Sequence, residues 1–149
     1  MPGNSDPIYS RVGKIGAVAV TAANTSSQGG GTIGTSIFLA FTADSTNGSF
    51  VRDIRFSATA SVAATATTAT VARIFISSIT SGTTTASDTH LFAEVALAAQ
   101  TAAQTTTATY PIVVPLNFAL PPGYTILITN HAAPAANTQW KAIVTGGDY

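Results

Sequence analysis

Cysteine is absent from this chain, and charge is scarce: six basic and six acidic residues make up 8% of 149 positions. The first absence excludes disulfides, thiolate nucleophiles and cysteine-based zinc sites, and it leaves the redox compartment unread. The second removes any long-range field that would gather phosphates or anionic lipid, so neither nucleic acid nor a membrane is an expected partner. Long apolar runs are missing too. Nothing approaches the 18 residues of a membrane helix, and MPGNSDPIYSRVGK has no cationic segment followed by an apolar core, as a signal peptide would. The chain therefore reads as soluble and made in the cytoplasm, and its length suits one domain.

A typical domain is about a quarter charged. Here no Asp, Glu, Lys or Arg occurs from Val95 to Trp140, a run of 46 residues, and SATASVAATATTAT (Ser57 to Thr70) holds no charge, glycine or proline. A surface with so few like charges gives little colloidal repulsion, which points to a packed assembly as the normal state. The Ser57 to Thr70 run fits a strand extension, a loop over a flat surface or a contact with a neighbouring subunit. Composition alone leaves all three open, because Thr favours strand and Ala does not.

What the chain has in abundance is Thr, Val and Ile in alternating order. In HLFAEVAL, Leu91, Ala93, Val95 and Leu97 share one face of a strand, with His90, Phe92, Glu94 and Ala96 on the other. The same pattern predicts strands over Gly13 to Thr21, Thr32 to Thr42, Phe50 to Ala58, Thr70 to Ile79, His90 to Ala98, Thr109 to Phe118, Tyr124 to Thr129 and Thr138 to Thr145. In YPIVVPLNFAL the face Tyr110, Ile112, Val114, Leu116, Phe118, Leu120 points inward. Pro111 and Pro115 fall opposite and mark an edge strand or one with bulges. Asn47-Gly48 suits a tight hairpin, and Pro122-Gly123 the centre of a type II turn. The expected fold is all-β: a single antiparallel β-sandwich, jelly-roll-like, of about eight strands over residues 11–149. Residues 1–10 form an extended amino-terminal arm whose Ile8 and Tyr9 gain burial only if the arm docks on something.

Chemical motifs are weak. Gly29, Gly31 and Gly34 satisfy GxGxxG, with Asp53 near the spacing of a ribose-binding acid, but the residues that follow alternate as a strand and open no helix. Ser87, Asp88 and His90 lie together in SDTH, yet proximity in a turn supplies neither triad geometry nor an oxyanion hole. His90 and His131 are far apart and no carboxylates fall at metal-ligand spacing; Asp88 and Glu94 are the one nearby acid pair. The two glycosylation sequons, at Asn24 and Asn47, are chance products of abundant Ser and Thr. The expectation is no enzyme, with no catalytic residue, cofactor or metal. Two arginines stand out instead. Arg52 alternates with Phe50, Ile54 and Phe56 on the apolar side of its strand, and Arg73 lies between Val71 and Phe75. Each suits either a guanidinium at the sandwich rim or one paired with an acid across a subunit interface.

The segments VRDIRF, VARIFI, LFAEVAL, PLNFALPPGYTILIT and TGGDY resemble small Ala/Thr-rich β-sandwich structural proteins of tailed bacteriophages, a group that includes head decoration proteins. The resemblance implies an auxiliary component of the virion, synthesised in the host cytoplasm. It would bind the major capsid protein or another shell protein as a homo-oligomer, a trimer by family analogy. Interface candidates are then Ile8, Tyr9, Arg52 and Arg73. An uncharged stretch of small side chains suits such packing, since interface centres are depleted in charge. The alternative is a carbohydrate-binding or adhesin module, which would need exposed coplanar aromatics such as Trp140 or Tyr124. A coat protein that packages nucleic acid is disfavoured by the neutral arm.

Overall fold

A computed structural model describes residues 10–62, 65–102 and 110–149. Among them there is no helix, and eight strands of five or more residues form two four-stranded antiparallel sheets. The first sheet is ordered β1 (Val12–Val20), β12 (Thr138–Asp148), β4 (Ser49–Ala60), β10 (Ile112–Leu120). The second is ordered β3 (Phe38–Thr42), β11 (Thr125–Asn130), β6 (Thr70–Ser77), β8 (Thr89–Leu97). Four two-residue strands complete the set: β2 (Gly31–Thr32) with β7 (Thr83–Thr84), and β5 (Thr65–Ala66) with β9 (Thr101–Ala102). The sheets do not close into a barrel, and the architecture is sandwich-like.

Alternation drives this arrangement. Val18 and Val20, Ile54 and Phe56, Trp140, Ala142 and Val144 point from the first sheet into the gap, where they meet Ile74, Ile126 and Ile128 of the second. Trp140 is fully buried, and its indole N–H donates to the Thr68 carbonyl (3.2 Å), so its one polar atom is satisfied. That contact gives the Ala/Thr run a place. Ser57–Ala60 continue β4, residues 63–64 lie outside the described residues, and Thr65–Ala66 pair with Thr101–Ala102. Thr67 is buried and exchanges hydrogen bonds with Gln100. Small side chains let this corner lie close over the tryptophan.

Several expectations are corrected. The proposed strand Thr32 to Thr42 is interrupted: residues 33–37 form a turn with Gly34 in the left-handed region, and the ladder starts only at Phe38. Asn47-Gly48 does not close a hairpin, because β3 and β4 belong to different sheets. Asp44 instead caps a wider turn by accepting from Thr46 and Asn47, with Gly48 at φ 78°. Pro121 to Tyr124 does form the anticipated turn, with Gly123 at φ 73° and Tyr124 N–H donating to the Pro121 carbonyl. The Leu91 face is broken as well. Ala93 pairs with Ile74 but Leu91 pairs with Phe75, so Phe92 is an extra residue whose ring packs on Phe118 at 5.0 Å. Tyr110 is 83% exposed rather than inward. Pro115 does sit on an edge strand, followed by a bulge.

Strands β1 and β3 approach where Gly16 faces the Ala40 carbonyl, and a methyl group at Gly16 would overlap that oxygen. Backbone stands on both sides of the contact, so it has little room to relax. Gly16→Ala is expected to lower stability by about 2 kcal/mol, as overpacked cores do, measured by denaturant unfolding.

Candidate interaction face

The outer faces of the two sheets differ. On the second, Phe75 and Leu127 point away from the sandwich core and are nevertheless fully buried, packed by Ile37, Ile33 and Leu39. The cover is the long connection from β1 to β3. Its backbone is fastened by Ala23 bridging Asn130, by Asn24 N–H donating to the Asn130 carbonyl, and by Thr84 Oγ1 donating to the Gly29 and Gly31 carbonyls. Gly29 and Gly31, two of the three glycines of the GxGxxG match, thus belong to a strap over a sheet.

Arg73 anchors that strap. It is 8% exposed, donates from Nε to Glu94 (2.7 Å), and reaches the carbonyls of Asn24 and Thr25 through one terminal nitrogen. Its acid therefore lies on the adjacent strand of the same chain, and its hydrogen bonds hold the β1–β3 connection. The SDTH turn is likewise occupied with its own folding. Asp88 accepts from Thr85 N–H and Oγ1 and from Thr89 Oγ1, and Ser87 Oγ lies 2.8 Å from Thr85 Oγ1. These hydrogen bonds, those of Thr85 first, hold the Asp88 carboxyl below the usual carboxylate range against a smaller effect of burial.

The first sheet carries no such strap among the described residues. Its outward positions include Ile15, Ala17 and Ala19 on β1, Lys141, Ile143 and Thr145 on β12, Asp53 and Arg55 on β4, and Val113 on β10. Ile15 is 72% exposed. Arg52 joins this face through a bulge. Thr145 and Gly146 of β12 sit opposite Asp53 and Val51, leaving Arg52 without a partner there, while two residues of β10, Leu116 and Asn117, span the same interval. Asn117 takes up the extra length with φ at 49°. Val51 fills the inward site that simple alternation gives to Arg52, and the guanidinium swings outward, where its side chain is 60% exposed. This corrects the sequence expectation. A bulge of this kind leaves no simple mark in a pattern of apolar residues.

Asp53 organises the cations around it. It accepts from Thr145 Oγ1 (2.8 Å) and Arg52 Nε (2.8 Å), with Arg55 Nε at 3.7 Å. Burial is the largest single influence and opposes its charge, but the hydrogen bonds from Thr145 and Arg52 and the nearby arginine charges together hold its carboxyl below the usual range. Beside this cluster a trough of about 710 Å³ opens on the same face, bounded by Gly13, Ile15, Phe50, Arg52, Asn117 and Thr145. The bulged residues form one wall of it. Ile8 and Tyr9 lie outside the described residues. No family model, curated protein or solved structure matches the chain.

Two outcomes follow. Arg73→Met is expected to cost about 2 kcal/mol, because the strap carbonyls lose a charged donor, whereas Glu94→Gln, at a half-exposed acid, costs under about 1 kcal/mol in the same denaturant series. Asp53 has its folded-state pKa lowered from 3.8, so its stabilisation is present above that value and is lost as pH falls through the lower folded value. Asp53→Asn should therefore flatten the acid limb of a stability-against-pH curve below about pH 4.

Proposed function

We propose that the chain is a structural virion protein that decorates or stabilises a preformed protein shell as a homo-oligomer, and that the outer face of the β1-β12-β4-β10 sheet is the docking surface. The observation that carries this reading is the asymmetry of the two sheets: one outer face is strapped over by the β1–β3 connection, while the other carries no strap among the described residues. Ala17, Ala19 and Ile143 give the β1–β12 side of that face a largely apolar patch beside Lys141, the composition expected where one protein packs closely on another.

Strand order supports the wider architecture. The pairs β1·β12, β3·β11, β4·β10 and β6·β8 nest inside one another along the chain, as in a single long ribbon folded in half and rolled up. We read this as an eight-stranded jelly roll, an architecture frequent in viral capsid and lectin domains. The lectin comparison keeps the carbohydrate-binding reading in view. Against it, Trp140 is fully buried, and among the described residues the exposed aromatics are Tyr110 and Phe92, the latter packed on Phe118.

Attachment through this face needs few charges. Arg52 and Arg55 already share Asp53, so little counterion release accompanies docking. Purified protein mixed with undecorated phage heads should co-sediment with them, with affinity changing less than about threefold between low and moderate salt. Ile143→Asp on the open face should abolish co-sedimentation, while Thr83→Asp on β7, away from that face, should not. Absence of binding under every condition, or its loss in modest salt, would move the assignment to the carbohydrate-binding module.

A further inference from the structure

Among the described residues, four buried side-chain polar atoms have no hydrogen-bond partner in the protein, and three of them lie on consecutive residues at the end of β11. They are Thr129 Oγ1 and the Oδ1 and Nδ2 of Asn130, and both residues are fully buried. Alternation sends the two side chains to opposite faces of the sheet. Asn130 follows Ile126 and Ile128 toward the gap between the sheets and stands opposite Ala72 of β6, a core residue. Thr129 follows Leu127 to the outer side and stands opposite Arg73, whose guanidinium holds the strap. Strand β3 pairs with β11 only as far as Ile128. Past that point the strap takes its place, with Ala23 bridging Asn130.

We propose that this end of β11 is a hydration site: Asn130 and Thr129 each hold an internal water molecule, one on either face of the sheet, as a permanent part of the fold. The neighbouring donors are already engaged. The N–H of Asn24 donates to the Asn130 carbonyl (2.7 Å), that of His131 to the Val71 carbonyl (3.0 Å) and that of Ala132 to Thr70 Oγ1 (2.9 Å). Arg73 directs Nε to Glu94 and one terminal nitrogen to the Asn24 and Thr25 carbonyls. Left unmet, a buried carboxamide and a buried hydroxyl would take a sizeable part of a domain's marginal stability, and native proteins rarely leave such groups bare. The chemistry selects water. The carboxamide calls for a donor at Oδ1 and an acceptor at Nδ2. A cation serves oxygens only and an anion serves donors only, whereas water does both and is small enough for an enclosed polar site. An apolar side chain at position 130 would continue the run of Ile126 and Ile128, so the asparagine marks where water enters the core. The inference concerns the fold and stands without the decoration reading, since its test needs no shell.

That test begins with a crystal structure of the full chain at near-atomic resolution. Ordered oxygens are expected about 3 Å from the Asn130 carboxamide and from Thr129 Oγ1. A direct protein partner in place of the oxygen at either residue, or no ordered oxygen there, would overturn the proposal. In solution, oxygen-17 relaxation dispersion counts the waters that tumble with the protein. Asn130→Leu and Thr129→Val should each lower its amplitude by the share of one water. Thr129→Val exchanges a hydroxyl for a methyl of similar size, and it carries the measurement alone where Asn130→Leu does not fold. An amplitude that stays at the wild-type value in every folded variant would count against the site as firmly as a dry crystal.

Discussion

Strands β4 and β12 run antiparallel from Ser49 to Ala60 against Thr138 to Asp148, and the first sheet takes its register from that ladder. Its inner side chains, Ile54, Phe56 and Ala58 on one strand and Trp140, Ala142 and Val144 on the other, make up much of the packed floor on which the second sheet rests. Because side chains alternate along a strand, a slip of one residue would expose the whole set. The bulge at Arg52 is such a slip, confined to one end. It keeps Ile54 and Phe56 inside, seats Val51 rather than Arg52 in the core, and sends the guanidinium to solvent beside Asp53.

The bulge does more than relocate one arginine. Across the interval between Asp53 and Val51, β12 has no extra residue, β4 has one and β10 has two. Each step lengthens the outer strand relative to its neighbour, and added length in one strand makes a sheet bend and twist. The trough lies at this place, with Arg52 and Asn117 on its far side. A local irregularity of register thus shapes the surface on which the chain presents its densest charge.

Most of the strands were legible because their signal is an alternation of apolar residues, and seven of the eight expected segments hold a long strand over most of their span. What escaped were the places where alternation breaks. Phe92, Arg52 and the turn between Thr32 and Phe38 each depend on a partner strand or sheet that sequence order does not reveal. The Asn47-Gly48 turn failed for a related reason. Its residues favour a left-handed conformation, as observed at Gly48, but which strands the turn joins is decided by the nested pairing. Arg73 stands out in the sequence as a charge between Val71 and Phe75, while its role as a strap anchor rests on backbone carbonyls 48 and 49 residues away.

The scarcity of charge takes on a specific meaning in this fold. Hydroxyls do much of the work that ion pairs and larger polar groups do elsewhere: Thr84 holds the strap, Thr89 and Ser77 bond each other in the buried edge, and Thr125 bonds the Ser77 and Ile79 carbonyls. A hydroxyl costs less to bury than a charge and can satisfy a carbonyl within a narrow gap. That choice lets layers lie close, and most of the arginines then have a defined acid beside them. Arg73 with Glu94 fastens a covered face. Arg52 and Arg55 with Asp53 mark the other sheet's outer face, over which no strap lies among the described residues.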